Sequence, residues 1–377
     1  MASASKEEIL PLTSLRFIAA SLVFVEHVFA IPGLEWMHAD RGWFGKIGVS
    51  IFFVLSGFVI SWSYASQPWN GNFWNNAGDF YWSRVARIYP LHWLMFLVCL
   101  PLALRSLTAH VHLSGIPSLW TLTADLWPGF YAGPQPDRAA WTLSCEAFFY
   151  LTSPLLLLLL CSRRSPLVSA GVTLVTYLAI IWAVASLYGN LNWNAYLWEP
   201  DFILGVLGYF LFRRVDLSFL AGSMLIAGIA LLVLSCLIEP RFNYNFARLV
   251  FGPGSLLVIL GCARSKGLCK HLLSHPKLVL LGHSSYALYL FHDPLIRYSR
   301  IYFNRHGIVF GAGWNVLVAL GFYVFACATS IACFKLYENP IRLKLRSLRK
   351  TKSSCGSDRT PIDTSKQSLP TAAIPGA

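Results

Sequence analysis

A chain of 377 residues that is 56 % hydrophobic and 12 % charged, with a mean hydropathy of +0.55, carries about half the charge of a soluble domain. The net charge of +13 would suit nucleic acid in a soluble protein, but no basic domain with interleaved aromatics is present, and Lys and Arg equally mark the cytoplasmic ends of membrane helices. Composition therefore excludes an ordinary soluble globule and a nucleic-acid partner, and leaves the lipid bilayer, whose core of roughly 30 Å takes about 20 apolar residues per helix.

Apolar runs of membrane length recur at 12–31, 47–64, 88–107, 142–161, 167–188, 197–212, 217–237, 248–263, 278–296 and 308–336. They predict an all-α, polytopic helix bundle of about ten spans, of which the sixth and eighth are short and interrupted by Gly or Pro. No small-residue cleavage site follows the first run, so it is expected to be a retained helix and not a signal. The N-terminus, the even-numbered loops and the C-terminal segment hold 19 Lys and Arg, against 9 in the odd-numbered loops. That bias predicts both termini on the cytoplasmic side. Residues 1–350 read as one membrane domain. From Thr351 the composition turns to Ser, Thr, Pro and Lys, which predicts a disordered cytoplasmic tail over 351–377. The nine cysteines form no CxxC pair and read as small buried hydrophobes, so neither a metal site nor a disulfide framework is expected.

Arg16 and His27 share the first span, 11 residues apart. At 100° per residue they point the same way, roughly 16 Å apart along the axis. An intramembrane charge is costly and faces a cavity or a partner; the bland alternative is an Arg paired with a carboxylate and a hydrogen-bonded core His. Arg84 and Arg87, at i and i+3, share a face at the cytoplasmic entrance of the third span, where two guanidinium forks suit a phosphate. They would equally serve as positive-inside anchors. Glu146 lies one turn into the outer end of the fourth span, and His292 and Asp293 near the outer end of the ninth. His27, Glu146, His292 and Asp293 thus fall at similar depth, either as a site or as a structural polar layer. The small residues of 48–58 permit close helix packing.

Five motifs in order make the chain resemble the acyltransferase-3 family of membrane O-acyltransferases. They are Leu15-Arg16 followed by His27, the GVSIFFVLSGF run from Gly48, Arg84-x-x-Arg87-Ile-Tyr-Pro, Trp141-Thr-Leu-x-x-Glu146-x-Phe-Phe-Tyr, and Leu281-Gly-x-x-Ser285-Tyr-x-x-Tyr-Leu-x-His292. Together they cover about residues 10 to 345, and the tryptophan motif is closest in form to the exopolysaccharide acetyltransferase subgroup. Ala147 stands where many members have a second Glu. The hydrolase-like domain of longer members has no counterpart, so a single membrane site, or a partner protein of a polysaccharide-assembly complex, is expected to complete the reaction.

The resemblance implies transfer of an acyl group, often acetyl, to a sugar hydroxyl of a polysaccharide, lipopolysaccharide or lipid-linked glycan in the bacterial inner (plasma) membrane. Acetyl-coenzyme A is the implied donor substrate, with no permanently bound cofactor. Arg16, His27 and Glu146 map onto the family's essential positions, and Arg84 and Arg87 onto its RxxR motif. The expected roles are Arg84 and Arg87 on the donor phosphates, Arg16 along the route or on the thioester oxygen, His27 as general base, and Glu146 orienting His27 or the sugar. An acyl-His intermediate is an open alternative. A transporter or flippase for a lipid-linked glycan would also suit ten helices with internal charge, but would need no acyl donor.

Overall fold

The computed structural model describes residues 7–32, 34, 43–66, 69, 72–106, 120–123, 137–161, 166–187, 198–242, 244–311 and 314–355. Every element among the described residues is helical. The helices are α1 (Leu10–Val28), α2 (Trp43–Tyr64), α3 (Phe73–Ser106), α4 (Trp141–Cys161), α5 (Pro166–Leu187), α6 (Glu199–Arg214), α7 (Ala221–Phe242) and α8 (Tyr244–Ala263). Then come α9 (Gly267–Leu273), α10 (Pro276–His283), α11 (Ser285–His306), α12 (Asn315–Cys333) and α13 (Asn339–Cys355).

Each of the ten apolar runs overlaps one of these helices. Among the described residues, six helical stretches are long and apolar enough to cross a bilayer: Leu10–Val28, Trp43–Tyr64, Phe73–Leu102, Arg138–Leu159, Ser218–Ile238 and Asn315–Arg349. Large apolar side chains left exposed on α4 (Leu151, Leu155), α7 (Ile226, Val233) and α12 (Leu320, Val324) are the surface that lipid covers. The Trp62 indole N–H donates to the Glu7 carbonyl, and Arg349 pairs with Asp79. Glu7 therefore meets the end of α2 while α13 meets the start of α3. Residues 356–377 of the expected tail lie outside the described residues, and α13 runs on to Cys355.

Helix α1 is the hub, touching α2, α8, α9, α10, α11 and α12. Pro11 falls in its first turn, where a missing N–H costs no hydrogen bond. The small residues of α2 act as its sequence suggests. A Cβ on Gly48 would stand 2.5 Å from the Ala19 carbonyl oxygen, and one on Gly57 would overlap the Phe202 carbonyl of α6. Van der Waals contact between backbones replaces the hydrophobic effect as the adhesive in lipid. Gly57→Val is expected to abolish the α2–α6 contact, at about 3 kcal/mol or more, and to collapse the folded fraction on size-exclusion chromatography. Gly171→Ala, with no atom near its Cβ, is the control that stays at wild-type level; equal levels of the two variants would refute the tight contact.

Two helices carry irregular positions beside the site. Pro90 lies inside α3, and tyrosine hydroxyls cover the carbonyls around it: Tyr286 donates to Ile88 O at 2.8 Å and Tyr337 to Pro90 O at 3.1 Å. A π-helical turn, Phe334–Glu338, joins α12 to α13. Pro340 follows at the second position of α13 and has no N–H to continue an α ladder, so the turn widens ahead of it. The widened turn presents Tyr337 and Glu338 to α3.

Candidate active site

A cavity of about 200 Å³ runs between α1, α2, α3, α4, α11 and α13. Five arginines line it, Arg16, Arg84, Arg87, Arg342 and Arg346, against one lining carboxylate, Glu146. Thr142, Phe52 and Tyr289 lie at its other end.

Arg84 and Arg87 lie within α3, 11 and 14 residues from its first residue, so the helix begins 15 residues ahead of the apolar run that starts at 88. Tyr64, Phe80 and Tyr150 surround the Arg84 guanidinium at 5.3–5.6 Å from their ring centres. Its Nη2 donates to the Tyr64 hydroxyl at 3.1 Å. Arg87 lies 3.6 Å from Glu338, which is 2 % exposed, and over the Tyr286 ring. Arg16 has no carboxylate within ion-pair distance among the described residues, so the paired-arginine alternative does not hold for it.

Glu146 sits with the arginines. Its carboxylate accepts from Tyr150 at 3.0 Å and from Ser56 at 3.4 Å. Glu146 and His27 have different neighbours, and no hydrogen bond joins them. On the same basic side, His283 Nε2 lies 3.7 Å from the Glu8 carboxylate.

His27 and His292 do meet. Their ring centres are 4.9 Å apart at the end of the bundle opposite α13, with His27 exposed and His292 2 % exposed. Each Nδ1 faces a backbone carbonyl, Val23 O at 2.8 Å for His27 and Tyr289 O for His292. A carbonyl only accepts, so each Nδ1 carries the proton and each Nε2 is left as the basic nitrogen. Neither histidine lines the cavity. Tyr289 stands between them: it lines the cavity, its ring centre is 5.6 Å from that of His292, and its hydroxyl accepts from Thr142 at 2.9 Å.

Asp293 turns away from the histidines. It accepts the Arg138 backbone N–H at 3.1 Å and pairs with Arg297 at 3.3 Å. With Cys99 and Asp137 it forms the one group among the described residues whose ligand atoms lie close enough together for a metal, within 4.8 Å. Arg297 already supplies a positive charge to it. The seven cysteines whose side chains are described are free thiols. The sequence alone assigned no site role to Tyr150, Tyr289, Glu338, Arg342 or Arg346. The available signal was the i, i+4 spacing of Arg342 and Arg346 directly after an apolar run.

A family model described as an acyltransferase domain matches residues 11–334. The chain belongs to the acyltransferase-3 family. It is 31 % identical over 325 residues to "Acyltransferase MdmB" of Streptomyces mycarofaciens, covering 76 % of this chain and 79 % of that protein. It is 21 % identical over 350 residues to "O-acetyltransferase OatA" of Staphylococcus aureus, covering 84 % of this chain and 56 % of that protein. A third similarity, 31 % over 170 residues, is to "Nodulation protein 10" of Rhizobium leguminosarum bv. viciae, covering 38 % of this chain and 42 % of that protein. No solved structure matches the chain. With its apolar helices, the chain is an integral membrane acyltransferase.

Proposed function

We propose that this acyltransferase resides in a bacterial inner membrane and transfers an acyl group, acetyl first among them, from acyl-coenzyme A to a sugar hydroxyl of a polysaccharide, lipopolysaccharide or lipid-linked glycan. The observation that carries this reading is the arginine-lined cavity on one side of Tyr289 with two histidines on the other. Similarity to a protein named as an O-acetyltransferase supports both the acetyl group and the oxygen acceptor.

In this reading Arg84 and Arg87 hold the donor's phosphates through charge-assisted hydrogen bonds. The thioester end reaches toward Thr142 and Tyr289, and Arg16 faces the carbonyl oxygen as negative charge develops there. The acceptor approaches from the end where His27 is exposed. Nε2 of His27 takes the hydroxyl proton, the oxygen attacks the thioester carbonyl, and the carbon–sulfur bond breaks. The proton passes to the departing sulfur, giving the free thiol of coenzyme A. Glu146, tied to Tyr150 and Ser56, orients the donor side and not His27. A flippase would need no donor, and family membership favours the enzyme.

The test compares surface glycans of cells with and without the protein by mass spectrometry. An acyl mass on a sugar is expected only with the protein; identical glycan masses would reject the reading.

A further inference from the structure

We propose that Arg342 and Arg346 of α13 form, beside Arg84, a phosphate subsite that holds the 3′-phosphate of the coenzyme A donor. The proposal rests on the donor reading above and adds residues beyond the stretch that the family model matches, which stops at 334.

The two arginines are four residues apart, one turn of helix, and both line the same cavity as Arg84. Helix α13 is fixed against α3 between the two arginines and just beyond them. Trp82 Nε1 donates to Leu345 O at 2.8 Å, and Arg349 Nε to Asp79 at 2.5 Å. Arg342 Nη2 donates to Asn339 Oδ1 at 2.7 Å, and the guanidinium lies over the Phe334 ring. The Nε atoms of Arg342 and Arg346 are both buried without a hydrogen-bond partner. Among the described residues, no carboxylate lies within ion-pair distance of Arg346, Arg342 or Arg84. The nearby carboxylate, Glu338, is engaged by Arg87.

Like charges gathered around one cavity, with two unpartnered Nε atoms, favour an anion. Arginine forks match the geometry of phosphate oxygens better than that of a single point charge. The position selects the part of the donor. The acyl end must lie toward Tyr289 and the histidines, so the opposite end of the cavity receives the nucleotide end. A coenzyme A thioester carries its separate phosphate there, on the ribose, beyond the diphosphate assigned to Arg84 and Arg87. An anionic lipid headgroup offers the same phosphate chemistry, and the test separates the two.

Full-length protein in zwitterionic nanodiscs is titrated with coenzyme A and with 3′-dephospho-coenzyme A. The wild type is expected to bind coenzyme A about tenfold or more the tighter, the scale of a charge-assisted hydrogen bond. Arg342→Gln with Arg346→Gln should erase that preference by losing coenzyme A affinity alone, and Arg346→Lys should retain part of it. Adenosine 3′,5′-bisphosphate should compete with coenzyme A in the wild type, a result that needs no variant to fold. An unchanged ratio in the double variant, or no competition, overturns the subsite while leaving the donor reading in place. A wild type that binds neither nucleotide overturns both. Loss of coenzyme A binding on adding phosphatidylglycerol, tracking Arg342 and Arg346, assigns the subsite to a lipid headgroup and overturns the proposal.

Discussion

Replacing His27 with alanine is expected to lower acyl transfer by about 100- to 10,000-fold at normal protein level, the range for removing a general base. The size follows from how the ring is held. Val23 O fixes the proton on Nδ1, which leaves Nε2 as a ready acceptor, and the side chain is exposed where an acceptor can reach it. His292 has the same tautomer logic but is buried behind His27, so it fits a supporting role. His292→Ala is expected to cost less than His27→Ala, because a buried ring cannot meet a glycan without rearrangement. The measurement is the initial rate of acyl transfer in membranes matched for protein content. Near-wild-type transfer by His27→Ala would end the base assignment, and a larger loss in His292→Ala would move that role to His292.

The second large effect is on the donor. Arg84→Ala combined with Arg87→Ala should raise the apparent KM for acetyl-coenzyme A by about 100-fold. Each charge-assisted hydrogen bond to phosphate contributes about 1.5–3 kcal/mol, and 1.4 kcal/mol is a factor of ten. Because Tyr64, Phe80 and Tyr150 surround Arg84, alanine also removes packing there. The Arg84→Lys variant separates the two contributions: it keeps the charge and loses the fork, and should fall between wild type and alanine. A KM that does not move in the double variant would leave both arginines as structural residues of α3.

The helical stretches were legible because hydropathy is a sum over a window, and a span of about 20 apolar residues dominates that sum. The placement of Arg84 and Arg87 was not, for the same reason. The polar stretch around Ser83, Arg84 and Arg87 lowers the window average and moves the apparent start of the third span to 88, whereas α3 begins at Phe73. Those side chains turn inward to the cavity, so the helix continues through them without facing lipid. Glu146 shows the second limit. Chain position gave its depth, but depth carries no azimuth, and only the packing of α4 against α2 and α3 puts it among arginines. Pairing of His27 with His292 was within reach, since both lay at one depth near the outer ends of their spans. Arg342 and Arg346 were hidden by their neighbours: a run of basic residues after the last apolar segment reads as solvated charge until α13, continuing from α12 through the π turn, is placed along α3.

The most direct test of a donor cavity on one side and a histidine pair on the other uses sealed, inside-out membrane vesicles carrying the full-length protein. Acetyl-coenzyme A labelled in its acetyl group is supplied from outside, and label is measured in the glycan within. Label is expected to enter the glycan with wild type, to disappear with His27→Ala, and to be suppressed by added coenzyme A. Glycan that gains acetyl groups at the same rate without acetyl-coenzyme A, or with His27 absent, would contradict it.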